Sequence, residues 1–203
     1  MNDARNLTPE QLDAMREVAN IGAGHAATAL SQMTEQRIMI SVPRVNVSPL
    51  EEVPNQIRES EEPVAAVLMR MMGDLTGMTL LVFPQASALQ IASLMMRRPA
   101  TTLGAMEQSA IKEAGNILGS AYMNALAEFM GMIIMPSPPS LTVDLSDAVL
   151  SSTYVEVSLT GSYVFCVESE FILQESGTRV RGLFLLLPDG PSLHAILRSI
   201  RVG

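Results

Sequence analysis

At 203 residues the chain is long enough to bury a real core, and it fits one compact unit or two fused halves. A formal charge of −8 and an isoelectric point near 4.7 argue against a phosphate-backbone binder, which needs clustered Lys and Arg, and suit a protein partner instead. Although 48% of the residues are apolar, no stretch approaches the roughly 20 uncharged apolar residues of a membrane helix, and the opening Met1-Asn2-Asp3-Ala4-Arg5 lacks the basic start and apolar run of a signal peptide, so a cytoplasmic protein is expected.

In chain order, Thr8-Pro9-Glu10-Gln11 has the form of a capping box with proline at the first helical position, and it opens a helix about 25 residues long. Along that helix Met15, Ala19, Gly22, Ala26, Ala29 and Met33 alternate steps of four and three, which makes one apolar stripe. Residues 38–47 read as a strand, and the acidic stretch 51–62 as an exposed loop. Strands over 65–71 and 79–83 follow, and Pro84 introduces a short helix over 86–97. The segment Arg97-Arg98-Pro99-Ala100-Thr101-Thr102 interrupts the apolar pattern and is the natural joint between two halves. A second long helix comes next, with Ile111, Gly115, Leu118, Tyr122, Ala125 and Phe129 as its stripe and Gly131 placed to act as its left-handed cap. Strands over 140–145, 163–173 and 180–187, then Pro188 and a short helix over 192–201, complete the pattern. The single cysteine, Cys166, lies in the apolar run Tyr163-Val164-Phe165-Cys166-Val167, where a buried strand residue is expected rather than a reactive thiol. With no Trp and 15 Met, the core must be built mainly from Met, Leu, Ile, Val and Ala.

The halves repeat at an offset of 96. Asp13-x-x-x-Glu17-x-x-Asn20-Ile21 returns as Ser109-x-x-x-Glu113-x-x-Asn116-Ile117, and the register survives as far as Pro43 and Pro139. The offset grows to 104 between Pro84 and Pro188, which places about eight extra residues in the second half, expected in a longer central hairpin. Gly22 and Ala26 are small where their counterparts Leu118 and Tyr122 are large, so the two helices should meet unequal packing demands on one sheet. The expected fold is an α/β (α+β), internally duplicated domain with pseudo-two-fold symmetry. It has a six-stranded β-sheet, two long helices and two short ones, and repeats at about 7–97 and 103–201.

On a helix, positions i, i+4 and i+7 fall within about 60° of one another, so Asp13, Glu17 and Asn20 share a face, as do Ser109, Glu113 and Asn116. A solvated face opposite a core stripe needs only polarity, whereas here the same acid and the same amide recur at the same spacing. Asparagine is neither acid nor base near neutral pH, but its side chain donates and accepts hydrogen bonds and so can orient a water. An acyl phosphate held on another protein, with that protein's own metal, needs little beyond a positioned attacking water. The glutamates could then hold the partner by pairing with a lysine.

The pattern of Asp or Ser, three residues, Glu, two residues, Asn, 22 residues and Pro is similar to the signature of the CheC, CheX and FliY phosphatases. The words Asn20-Ile21-Gly22-Ala23-Gly24 and Ala27-Thr28-Ala29-Leu30-Ser31 also resemble CheC, and the resemblance runs from about Leu7 to Ile200. It implies a β-sheet carrying two long active-site helices, hydrolysis of phosphorylated CheY, no cofactor beyond the Mg2+ expected on the response regulator, and in many members a complex with the receptor deamidase CheD. Carried over by position, Glu17 and Asn20 form one catalytic site and Glu113 and Asn116 the other, with Asp13, Ser109, Pro43 and Pro139 as signature support.

Position 25 is a histidine where the family word is expected to carry a smaller polar residue, and His25 is read as solvent-facing or satisfied, like His194. Two distant histidines and one apolar cysteine offer neither a metal-ligand set nor a nucleophilic dyad. The competing reading is a non-catalytic adapter that binds CheD or a response regulator, or a flagellar-switch part. An adapter would not need both the amide and the glutamate twice, and the expected lack of FliY's extra C-terminal domain counts against a flagellar-switch role.

Overall fold

The computed structural model describes residues 8–41, 44–49, 63–157, 163–174 and 177–199. The first helix, α1 (Pro9–Thr34), starts as its sequence requires: the Thr8 hydroxyl accepts the Gln11 N–H at 3.3 Å, and the Gln11 side-chain oxygen accepts the Thr8 N–H at 2.9 Å. The helix α3 (Ala105–Met130) has the same length of 26 residues and ends at Gly131, whose φ of 63° lets the Met132 N–H reach the Ala127 carbonyl at 3.0 Å. Two shorter helices, α2 (Gln85–Met96) and α5 (Gly190–Ser199), follow the prolines at 84 and 188. Asp189 caps α5, accepting the Ser192 N–H at 2.9 Å and the hydroxyl of Thr76.

Six sheet positions become eight strand segments among the described residues, because two strands are broken. Residues 38–47 form β1 (Ile38–Ile40) and β2 (Arg44–Pro49), and β5 (Ile134–Pro136) precedes β6 (Ser140–Leu145) in the same way. The remaining strands are β3 (Pro63–Gly73), β4 (Gly77–Pro84), β7 (Tyr163–Leu173) and β8 (Arg179–Pro188). Every pairing is antiparallel, and the order is reciprocal. Segments β1 and β2 add to β7, β5 and β6 add to β3, and β4 and β8 join the two hairpins at the centre. The extra residues are not all in the hairpin: the offset is 96 at β6, 100 at β7 and 104 at Pro188, so half of them precede β7.

The main core lies between the sheet and the helices α1, α2, α3 and α5. Alternation along the strands sends Val64, Ala66, Leu80, Val82, Val164, Cys166 and Leu185 to the opposite face. Val149 covers part of that face from a fifth helix, α4 (Ser146–Val157), which sequence pattern did not foretell. The acidic stretch 51–62 lies outside the described residues.

Candidate functional site

Helices α1 and α3 run antiparallel: Met15 and Ala19 share an apolar gap with Tyr122 and Leu126, while Leu30 shares another with Ala114 and Leu118. They come close at Gly22, where an added Cβ would stand 2.7 Å from Tyr122 Cδ1 and 3.0 Å from Tyr122 Cα. The small residue on α1 therefore makes room for α3 rather than for the sheet. Tyr122 crosses this space, stacks on Phe184 with ring centroids 4.5 Å apart, and hydrogen-bonds the Ser169 hydroxyl at 2.7 Å. The stripes bury Met15, Ala19, Gly22, Ala26, Ile111, Gly115, Leu118, Tyr122 and Ala125 as expected. At their far ends Ala29 is half-buried, and Met33 and Phe129 are 43% and 40% exposed. On α1 the buried face turns there toward Leu30 and Thr34, as it must where a helix crosses its neighbour at an angle.

Opposite these buried faces stand the polar residues. Asp13, Glu17 and Asn20 are exposed on α1; Ser109 and Glu113 are exposed on α3, and Asn116 is half-buried. Tyr122 meets Gly22, and the position matching Tyr122 in the first copy is Ala26, so the crossing falls near residues 24 and 120. Each asparagine precedes it by four residues, which at about 1.5 Å per residue sets the two amides on the order of 12 Å apart along the helix direction. Arg16 Nη1 lies 2.7 Å from Asp13 Oδ1, one turn below Asn20. Arg16 and Lys112 match at the offset of 96, and this recurrence of like charge was a readable signal beside the acid and amide.

Pro139 is half-buried in the link between β5 and β6, where its missing N–H cannot continue a ladder; Pro43 lies outside the described residues. His25 is exposed, and the exposed His194 has Nδ1 2.7 Å from the Gly190 carbonyl. Cys166 is buried at 1% exposure, and burial pushes its thiol up to about 12, far from a nucleophilic thiolate. Among the described residues no group of three or more His, Cys, Asp and Glu is placed to hold a metal, and no helix is long and apolar enough to cross a membrane. The gaps beneath the helices are lined almost wholly by apolar side chains and include none of the polar stripe.

Fold and site together define a class: mixed α/β proteins built on a large antiparallel sheet, with matching acid–amide pairs displayed on two long antiparallel helices. The model of the CheC-like family matches residues 10–47 and 106–143, the two helix-and-strand units just described. The chain is 32% identical over 205 aligned residues to the CheY-P phosphatase CheC of Bacillus subtilis, covering 98% of each protein. It is also 31% identical over 147 residues to the flagellar motor switch phosphatase FliY of the same organism, covering 70% of this chain and 38% of that one. Thermotoga maritima FliY, solved by crystallography, superposes with a TM-score of 0.79 at 25% identity over 96% of this chain and 98% of that one. The chain belongs to the CheC-like family.

Proposed function

We propose that this protein is a cytoplasmic CheY-P phosphatase, a single domain of two repeats that hydrolyses the aspartyl phosphate of a chemotaxis response regulator. The reading is carried by one observation: the same Glu and Asn recur at the same spacing on the outward faces of two antiparallel helices. The likeness to the B. subtilis CheY-P phosphatase over nearly the whole chain supports the substrate. In this reading Glu17 and Glu113 pair with a lysine of the response regulator and dock it. Asn20 and Asn116 accept and donate hydrogen bonds to a water held in line with the phosphorus. The water oxygen bonds to phosphorus, the bond to the aspartyl oxygen breaks, and the carboxylate leaves together with an inorganic phosphate that keeps the water's protons; a Mg2+ held by the response regulator would supply charge compensation. Asp13, Ser109, Pro43 and Pro139 complete the signature in a supporting role. CheD is the second partner we propose, on the resemblance stated above.

The test is the rate at which a phosphorylated CheY loses phosphate with and without the purified chain. Acceleration at substoichiometric protein is expected. Binding without acceleration would make the protein an adapter.

A further inference from the structure

Around each glutamate–asparagine pair the two copies keep a basic residue but differ in what holds it. Arg16 and Lys112 occupy matching positions four residues before Asn20 and Asn116, so each cation lies within about 40° of its asparagine around the helix, on the side away from the glutamate. On α1, Arg16 is tied back to Asp13 at 2.7 Å, with 51% and 70% of the two side chains exposed. On α3 the position matching Asp13 is Ser109, which cannot form an ion pair, and Lys112 is exposed with no acidic partner among the described residues. The acids nearest along α3 are Glu107, which binds Arg98 at 3.1 Å, and Glu113, which the proposed function gives to a lysine of the response regulator. Lys112 is also the sole lysine of all 203 residues, in a chain whose other 12 cations are arginines.

Resting on the phosphatase reading, we propose that Lys112 positions the phosphoryl group at the second site and makes that site the stronger of the two. The ammonium carries three donors on a flexible stem and is free to meet phosphoryl oxygens as the response regulator seats against Asn116. Arg16 is the masked counterpart, its charge partly neutralised and its fork already turned to Asp13. The two repeats thus share one chemistry while differing in the electrostatic help each gives it.

The experiment isolates each site in the full chain: Asn20→Ala leaves the second site in operation, and Asn116→Ala leaves the first. In the Asn20→Ala chain, Lys112→Ala should lower kcat/KM by about tenfold, mainly through KM, and flatten its dependence on salt. Lys112→Arg should restore most of the loss, and Ser109→Asp should reproduce it by giving Lys112 a carboxylate. In the Asn116→Ala chain, Asp13→Ser should raise kcat/KM by freeing Arg16. The same variants are read by affinity for CheY loaded with beryllofluoride, which does not depend on hydrolysis. A chain that binds this complex but releases no phosphate from CheY-P would sink the phosphatase reading alone. Lys112→Ala with unchanged affinity and unchanged salt dependence, or an arginine that fails to rescue it, would overturn the role of Lys112.

Discussion

Asn20 and Asn116 carry no charge to trade, so their proposed contribution is made mainly in the transition state, whereas the docking proposed for Glu17 and Glu113 would act through charge from the moment of encounter. Rate and affinity should therefore divide between the two residue types. Glu17→Lys with Glu113→Lys should weaken binding of beryllofluoride-loaded CheY by tenfold or more in rough terms, because attraction becomes repulsion. The Asn→Ala pair should spare that binding. Equal losses of affinity in both sets would instead make the stripe one undivided docking surface. Two buried groups set the response to alkali: desolvation raises the Cys166 thiol from 9.0 to about 12, and the Tyr122 phenol from 10.0 to about 12 although its bond to Ser169 pulls the other way. Each is held neutral by the fold, so its stabilising share is complete below its unfolded value and fades as pH rises toward the folded one. Urea midpoints should stay level up to about pH 9 as far as these groups are concerned, then fall between pH 9 and about 12. A midpoint unchanged at pH 11 would show that neither group is shielded as described.

At the scale of elements, the meeting of α1 and α3 depends on Gly22 in a way that helix propensity opposes. Gly22→Ala should destabilise the protein by about 1–3 kcal/mol, because the new methyl meets the Cα of Tyr122 and not only a flexible side chain. Gly24→Ala, with nothing within 4 Å, should be neutral or stabilising by up to about 1 kcal/mol. Equal urea midpoints for the two variants would contradict the close approach. The contrast also shows where the sequence was legible. The long helices could be read because caps, stripe and length agree: Thr8, Gln11 and Gly131 mark ends that the structure keeps. That Gly22 faces Tyr122 could not be read, since the small-for-large exchange in the repeat says that packing is unequal but not against what. The breaks after Ile40 and Pro136 follow from pairing to a neighbouring strand, and three-residue segments carry too little alternation to be seen alone. Helix α4 was missed because Ser146-Asp147-Ala148-Val149-Leu150-Ser151-Ser152-Thr153 mixes β-branched and hydroxyl residues of low helix propensity. There Thr153 bonds the Val149 carbonyl at 2.9 Å, and Val149 is buried against the far face of the sheet, so tertiary contact overrides propensity.

Over the whole molecule, each half lends its first strands to the other: Ile38 pairs with Leu173 and Val45 with Val167, while Ile134 pairs with Gly73 and Val143 with Ala65. At the centre the pairs Leu80–Leu185 and Leu81–Phe184 exchange under the offset of 104, so the symmetry axis passes between them. Such reciprocal exchange leaves neither half a complete sheet. Residues 1–100 and 103–203 made separately should fail to fold, and the full chain should unfold in a single transition followed by circular dichroism; a natively folded half would contradict the exchange. The same architecture presents both asparagines on one pair of helices, and it is there that the functional account is tested most directly. The decisive measurement is single-turnover loss of phosphate from phosphorylated CheY by the unaltered protein and by the Asn20→Ala/Asn116→Ala double variant. These positions lie on the polar outer faces of their helices, and their replacement should change stability by less than about 0.5 kcal/mol. The unaltered protein should speed dephosphorylation, and the folded double variant should return the rate to that of phosphorylated CheY alone. A double variant that still turns over like its parent would contradict the assignment of catalysis to these two amides.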